Sequence, residues 1–125
     1  MDSELELANR VRRMFDELMN HRQTERAAEY FADDVVDHNL GPGQAPGRAG
    51  LEDQMRRALA ANPALRVNVE DVVVQDDRVA VRETWHTASG VWNIAHFFRF
   101  ANGRIVEEWS MGWPAPPEDA RTQSL

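Results

Sequence analysis

Residues 78–113, RVAVRETWHTASGVWNIAHFFRFANGRIVEEWSMGW, decide the fold of this chain. Two turn signals, Ser89-Gly90 and Asn102-Gly103, divide the stretch into three segments that are rich in β-branched and aromatic residues. Asn-Gly is the strongest short-range signal for a two-residue hairpin, because both residues tolerate the positive φ that a type I′ turn requires. The stretch therefore predicts three antiparallel strands joined by two tight turns.

The pairing of these strands follows from the turns, because a two-residue loop fixes which residues lie opposite each other. With loops at residues 89–90 and 102–103, Glu83 lies opposite His96, and His96 lies opposite Trp109. Directly opposite residues share one side of a sheet. The other residues predicted on that side are Val79, Val81, Trp85, Ile94, Phe98, Phe100, Ile105, Met111 and Trp113. A carboxylate in contact with an imidazole on an otherwise apolar face indicates a functional site.

The opposite side of the predicted sheet is mixed in character. Its residues are Arg82, Thr84, His86, Asn93, Phe97, Arg99, Glu108 and Ser110. Such a face suits either solvent or a second subunit, and we expect a homodimer that forms through it.

The composition is that of a single globular domain of 125 residues, with 42% hydrophobic and 28% charged residues. A net charge of −7 gives nucleic-acid binding little electrostatic support. All 14 basic residues are arginine and cysteine is absent, which excludes a Schiff-base lysine, a cysteine nucleophile and a thiolate metal site. Without a long apolar run or a charged-then-apolar leader, we expect a cytoplasmic protein that does not contact membranes.

The remaining sequence predicts three helices and two further strands. In order, they are a helix over residues 3–22, a short helix from residue 24, a strand over 35–39, a helix over 51–61 and a strand over 65–74. Strands that follow helices indicate an α+β fold with the helices packed on one sheet face. We predict a curved, mostly antiparallel sheet wrapped around the N-terminal helices, a cone that encloses a pocket, over residues 1–113. Residues 114–125 show no periodicity and are expected to form a loose tail.

Four strings span nearly the whole chain in order. They are YFADDVVDHN (30–39), PGRAGLEDQMR (46–56), LRVNVEDVVVQDDRVAVRETW (65–85) and FFRFANGRIVEEW (97–109). Together they resemble the SnoaL-like polyketide cyclases, within the wider NTF2-like cone fold that includes ketosteroid isomerase, scytalone dehydratase and limonene epoxide hydrolase. The resemblance implies the cone fold, whereas the scaffold hosts isomerases, dehydratases, hydrolases, aldol cyclases and plain binding proteins.

The resemblance also implies where the working groups lie. Members of the family place them at the end of the strand after the ADD segment, which is Asp37, His38 or Asn39 here, and on the strands that contain Glu83 and His96. Strand alternation separates His38 from the other two residues of its segment. A turn-forming role before the glycine-rich loop explains the same three residues equally well.

Two departures from the family pattern stand out. Relatives often carry an aspartate directly after the tryptophan of the last strand, and here Trp109 is followed by Ser110. Many also have a longer turn where this chain has Ser89-Gly90. The missing aspartate favours a binding protein over a cyclase.

The predicted Glu83–His96 pair suits general acid/base catalysis, because the carboxylate raises the proton affinity of an imidazole that the apolar wall keeps neutral. A structural hydrogen bond within the sheet is the plain alternative. Asn39 or Asp37 would hold a substrate oxygen. The residues expected to line a flat slot for an aromatic or polycyclic ligand are His38, Trp85, Trp92, Trp109, Trp113, Met111 and Tyr30, with Trp92 opposite Trp113.

Two classes of function remain open from the sequence. One is a cofactor-independent enzyme that acts on a hydrophobic, carbonyl-bearing small molecule, with aldol cyclisation of a polyketide intermediate as the leading reaction and isomerisation or dehydration next. The other is a small-molecule-binding or accessory protein without catalysis. The four histidines show no metal-ligand spacing, and GPGQAPG (41–47) is not a phosphate-binding loop. Epoxide hydrolysis is disfavoured, since Glu83 and Trp85 stand where that branch has an arginine and an aspartate.

Overall fold

A computed structural model describes residues 3–116 of the chain. The elements are α1 (Glu4–Phe15), a π-helical turn (Asp16–Asn20), a 3₁₀ helix (Thr24–Glu29), β1 (Phe31–Asp37), α2 (Gly47–Ala61), β2 (Arg66–Gln75), β3 (Arg78–Thr87), β4 (Gly90–Ala101) and β5 (Arg104–Pro114). None of the helices between residues 3 and 116 is long and apolar enough to cross a membrane.

The five strands form one curved, unclosed sheet in the order β1-β5-β4-β3-β2. β1 runs parallel to β5, and all other neighbouring pairs are antiparallel. The helices pack against one face and bury a single core with it, which confirms the predicted α+β cone. Core residues from both layers include Leu7, Val11, Met14, Leu18, Leu51, Val67, Val79, Val81, Phe98 and Ile105.

Side-chain hydrogen bonds fix both ends of the first helical segment. Ser3 Oγ accepts from the Glu6 N–H at 3.1 Å, and the Glu6 carboxylate accepts from the Ser3 N–H at 3.2 Å, which forms a capping box. At the far end the helix widens into the π-helical turn Asp16–Asn20. There the Asn20 amide donates to the Val67 carbonyl at 2.9 Å and accepts from its N–H at 2.8 Å. These bonds anchor the helix to β2.

Several predicted boundaries shift. β1 begins at Phe31, four residues before the predicted strand, and α2 begins at Gly47, directly after the extended Pro46 and four residues before the predicted helix. The segment from Thr24 forms a 3₁₀ helix. At the other end, β5 includes Pro114, the first residue of the predicted tail, while residues 117–125 lie outside the described part of the chain.

The β3–β4 hairpin turns one residue earlier than predicted, with its loop at residues 88–89. Glu83 therefore lies opposite Ile94, and His96 lies opposite Val81, which corrects the predicted direct pairing of Glu83 with His96. Because the register changes by two residues, neither side chain changes face. Glu83 and His96 become diagonal neighbours, which remain within reach of each other on a sheet.

The Asn102-Gly103 turn forms as predicted. Both residues have positive φ, 52° and 77°, and Ala101 pairs with Arg104 across the turn. Two residues after Arg104, however, the pairing slips.

A β-bulge at Val106 causes this slip. Phe100 pairs with Ile105 on one side of the bulge, whereas Arg99 pairs with Glu107 on the other, so that Val106 is an extra residue in β5. A slip of one residue inverts every side chain beyond it.

The inversion corrects the predicted third member of the row. Glu108 and Ser110, predicted on the outer face, point toward the helices, where they lie opposite Phe98 and His96. Trp109 lies instead on the outer face of the sheet. The residues that the bulge moves from the predicted pocket to the outer face are Trp109, Met111 and Trp113.

Candidate active site

A carboxylate–imidazole pair lies at the centre of the helix-covered face. Glu83 is completely buried, and its Oε1 lies 2.7 Å from His96 Nδ1 and 3.1 Å from the indole Nε1 of Trp85. An ionised carboxylate only accepts hydrogen bonds, so Nδ1 carries the proton. The other imidazole nitrogen, Nε2, is consequently the one available to a ligand. Glu83 Oε2 is buried and has no partner among the described residues.

The imidazole packs against two aromatic rings. The ring of Phe98 lies 5.3 Å from that of His96, nearly parallel to it, and the ring of Phe15 lies 5.6 Å away. The side chain of His96 retains only 15% of its exposure. Packing and the Glu83 hydrogen bond together restrict its orientation, which a positioned acid/base group requires.

A small cavity of about 80 Å³ opens beside the imidazole. Its lining residues are Met14, Phe15, Leu18, Met19, Phe31, Leu51, Gln54, Met55, Trp85, His96, Phe98 and Glu108. All the walls except Gln54, His96 and Glu108 are apolar or aromatic. Pockets that bind drug-sized ligands typically measure about 300–1,000 Å³, so a larger ligand requires the walls to move.

Glu108 contributes a second carboxyl group to this cavity. The residue is only 6% exposed, and its carboxyl group makes no hydrogen bond within residues 3–116. Asp37 pairs with it across the β1–β5 ladder. The Asp37 carboxylate, by contrast, accepts hydrogen bonds from the Asn39 N–H at 2.8 Å and from Gln44 Nε2 at 3.0 Å.

Burial and nearby charges raise the pKa values of two groups in this site, Glu108 and His96. Burial raises the pKa of Glu108 to about 7; His96 opposes this rise, whereas Asp37 and Glu83 add to it. For His96 burial lowers the pKa, but the hydrogen bond and charge of Glu83, followed by the charges of Glu108 and Asp37, outweigh burial and leave that pKa raised. Near neutral pH the site therefore holds exchangeable protons on both groups.

The raised pKa of Glu108 predicts a pH-dependent stability. Because the folded-state pKa, about 7, lies above the ordinary value of 4.5, its contribution is fully present below pH 4.5 and is lost as pH rises through 7. Glu108→Gln removes this titration. We expect the free energy of unfolding of the wild type, relative to this variant, to fall on the order of 2–3 kcal/mol between pH 4.5 and 8. Urea unfolding at both pH values measures it, and a pH-independent difference would contradict it.

The structure brings together only part of the predicted site. Glu83, His96 and Trp85 meet at the cavity, and Asp37 lies beside Glu108. Asn39 has a structural role, since its Oδ1 accepts from the Ser110 N–H at 2.8 Å and joins the end of β1 to β5.

Other predicted ligand contacts lie outside the cavity. His38 is on the outer side, where its ring stacks on Trp109 at 4.6 Å and its Nε2 lies 2.9 Å from Glu107. Tyr30 is buried in helix packing and donates its hydroxyl hydrogen to Glu17. Trp92 lies on the inner side opposite Trp85, not opposite Trp113 as predicted, and does not line the cavity.

Sequence reasoning missed Glu108 and Gln54. A signal for the first existed, because consecutive residues of a strand face opposite sides of the sheet, so that one of the two adjacent residues Glu107 and Glu108 must face inward. Gln54 carries no such signal, since it lies at the edge of the apolar face of α2. Between residues 3 and 116, no three histidine, aspartate or glutamate side chains are grouped as metal ligands would be.

Comparison with known proteins agrees with this geometry. Residues 9–112 match the family model described as SnoaL-like polyketide cyclase. The chain belongs to the SnoaL-like polyketide cyclase family. No curated protein matches it.

Solved structures show the same fold. IdmH of Streptomyces antibioticus, described as a candidate polyketide cyclase, is 26% identical, with a TM-score of 0.72 over 85% of this chain and 91% of that one. A candidate polyketide cyclase from Bacillus cereus is 19% identical, with a TM-score of 0.79 over 89% and 78%. AclR of Streptomyces galilaeus, described as a candidate hydroxylase, is also 19% identical, with a TM-score of 0.72 over 98% and 95%. These neighbours differ in the reactions ascribed to them.

Proposed function

We propose that this SnoaL-like protein is a cofactor-independent acid/base enzyme that acts on a hydrophobic, carbonyl-bearing small molecule. One observation carries the proposal: His96 lines an apolar cavity while buried Glu83 holds its Nδ1 at 2.7 Å, which leaves Nε2 as the basic nitrogen. A histidine oriented in this way by a carboxylate is suited to proton transfer near neutral pH.

The chemistry begins with removal of a proton from the carbon beside a carbonyl group. The C–H bond breaks, Nε2 gains the proton, and the electron pair moves into the carbonyl to form an enolate. The ionised Glu83 stabilises the imidazolium that results. Attack of the enolate carbon on a second carbonyl of the same molecule forms the new C–C bond, and the alkoxide recovers a proton. This sequence is an intramolecular aldol condensation.

Family membership favours polyketide cyclisation as the reaction. Isomerisation and dehydration begin with the same enolate and are the nearest alternatives. The cavity of about 80 Å³ is too small for a polycyclic substrate unless its walls move. Three methionines, Met14, Met19 and Met55, form part of its wall, and flexible methionine side chains repack readily around a ligand.

A non-catalytic binding protein is the second candidate. Ser110 in place of the family aspartate favours it, because that position opposite His96 then lacks a carboxylate.

Proton exchange in D₂O separates the two functions. The probe is 2-tetralone, a bicyclic ketone whose α protons are followed by ¹H NMR while tryptophan fluorescence reports binding near Trp85. An enzyme exchanges the α protons faster than buffer does; quenching without faster exchange supports the binding protein.

A homodimer through the outer sheet face is a further part of the proposal. Its support is an exposed apolar strip, in which Phe97 is 45%, Met111 50% and Trp113 52% exposed. Contiguous apolar surface of this kind commonly marks an interface. We therefore expect a dimer in which two of these faces pack together, burying about 800 Å² on each subunit.

Phe97→Glu is expected to convert this dimer into a monomer, because it places a charge in the centre of the apolar strip. Leu5→Glu is the matched control, since Leu5 is 70% exposed on α1, away from the sheet face. Light scattering after size-exclusion chromatography measures the mass. A wild-type monomer, or a dimer that survives Phe97→Glu, would rule out this interface.

A further inference from the structure

We propose that Glu108 is a second catalytic group, which protonates the substrate carbonyl oxygen while His96 removes the α proton, and that the site therefore accepts neutral, enolisable ketones. This inference rests on the proposed function and specifies its substrate class. It concerns a carboxyl group that the sequence had placed on the other face of the sheet.

The surroundings of Glu108 differ from those of the neighbouring acids. Glu83 accepts hydrogen bonds from His96 and Trp85 at Oε1, while its enclosed Oε2 has no partner among the described residues, and Asp37 accepts from Gln44 and a backbone N–H. Glu108 is 6% exposed, lines the cavity and has no such donor within residues 3–116. Its carboxyl oxygens are not among the enclosed atoms that lack a partner, so they are reachable from the cavity that Glu108 lines. A ligand in the cavity can therefore form a hydrogen bond with this carboxyl group.

The position of Glu108 suits a joint reaction with His96. Both residues lie on the same sheet face of adjacent strands, and since Ser110 lies directly opposite His96, Glu108 is the diagonal neighbour. Diagonal positions are about 7–8 Å apart between Cα atoms. Both side chains line the cavity, so one small ligand can touch both.

The protonation state allows Glu108 to act as a donor. Burial among other carboxylates raises its pKa to about 7, so a large fraction carries a proton at neutral pH. A protonated carboxyl group donates one hydrogen bond, and a carbonyl oxygen accepts one. Glu83 and Asp37, whose carboxyl oxygens already accept hydrogen bonds, are less suited to this role.

The step balances in protons and in charge. The substrate C–H bond breaks and Nε2 of His96 gains the proton, while the O–H bond of Glu108 breaks and the carbonyl oxygen gains its proton. A neutral ketone becomes a neutral enol, and an imidazole with a carboxylic acid becomes an imidazolium with a carboxylate. The net charge of the buried site stays the same, which avoids the desolvation cost of creating an isolated enolate in an apolar cavity.

The carboxyl groups near the cavity disfavour anionic ligands. Glu83 and Asp37 lie near the cavity, and none of its lining residues is an arginine. The charged or titratable side chains that line the cavity are Glu108 and His96, and its other polar groups, the Gln54 amide and the Trp85 indole, carry no positive charge. The site is thus matched to a substrate that enters uncharged.

The test compares 2-tetralone exchange in D₂O for the wild type, Glu108→Gln and Glu107→Gln. Glu107 is the control, because it is the adjacent glutamate on the outer face, where it binds Arg99 and His38. We expect Glu108→Gln to slow exchange about 100-fold and to remove the alkaline fall of the pH–rate profile. NMR titration should show a lower His96 pKa in that variant, since the Glu108 charge raises it. Glu107→Gln should match the wild type.

A competition experiment tests the substrate class. We expect 2-naphthoate, a bicyclic carboxylate, to inhibit exchange at least 10-fold more weakly than neutral 2-naphthaldehyde does. Equal inhibition would overturn the preference for neutral ligands. Unchanged exchange in Glu108→Gln, with exchange still dependent on His96, would overturn the role of Glu108 and leave the proposed function intact. Exchange that is independent of His96, or absent from the wild type, would contradict the proposed function itself.

Discussion

His96→Gln is expected to lower the rate of 2-tetralone proton exchange by about 10²–10⁴-fold, the range that a positioned general base contributes. Glutamine has no basic nitrogen, so the α proton loses its acceptor. Its amide can still donate to Glu83, whose Oε1 lies 2.7 Å from His96 Nδ1 in the wild type, and this protects the buried carboxylate from isolation. The fold should therefore survive, as judged by circular dichroism and by oligomeric mass.

Two further variants sharpen this experiment. Glu83→Gln should lower exchange less than His96→Gln does and should lower the His96 pKa, because Glu83 is the strongest group that raises it. His86→Gln is the matched control, since His86 lies on the outer side, where its Nε2 is 3.3 Å from Asn68 Nδ2. Exchange by His96→Gln at the wild-type rate would remove the mechanism, whereas equal losses in His86→Gln would point to a nonspecific effect on the fold.

Gly50→Ala is expected to destabilise the protein by about 4 kcal/mol or more, a large share of the total stability of a small domain. Gly50 is buried in the first turns of α2, and an added Cβ would lie 1.6 Å from the carbonyl oxygen of Ala45 and 2.5 Å from its carbonyl carbon. Backbone atoms cannot move aside as a flexible side chain can, so α2 or the preceding loop must shift. The helix carries Leu51, Gln54 and Met55 into the cavity wall.

Thermal and urea unfolding measure this effect, and we expect the midpoint temperature to fall on the order of 15 °C. Ala49→Gly is the control, because it changes a neighbouring, exposed position of the same helix and should cost only about 0.5–1 kcal/mol. Gly50→Ala stability within about 1 kcal/mol of the wild type would show that the loop and helix are not packed as described.

Local signals in the sequence predicted most of the architecture. The Asn102-Gly103 turn and the alternating strands beside it gave the antiparallel hairpins, and the helical periodicity before them gave the α+β order. The β3–β4 loop lies one residue earlier than predicted, yet Glu83 and His96 still lie on the predicted face. The true register differs from the predicted one by two residues, and a shift by two leaves each side chain on its face.

The bulge at Val106 had the opposite effect. Because of this single extra residue, every side chain from Glu107 onward lies on the face opposite to the predicted one. Trp109 and Trp113 therefore lie outside the cavity, and Glu108 lines it. The sequence showed only that the family aspartate is absent after Trp109, which favoured a binding protein. The fold supplies a carboxyl group nevertheless, one inward-facing position before Ser110.

The sequence by itself determined the turns, the strand alternation and the acid–histidine pair, because each depends on neighbours along the chain or on a tight loop. Only the tertiary structure decided which face of β5 covers the cavity, how small that cavity is, and which second carboxyl group lines it. Those properties arise where β5 must pair with both β4 and β1, and the backbone accommodates both partners with a bulge that no local pattern encodes.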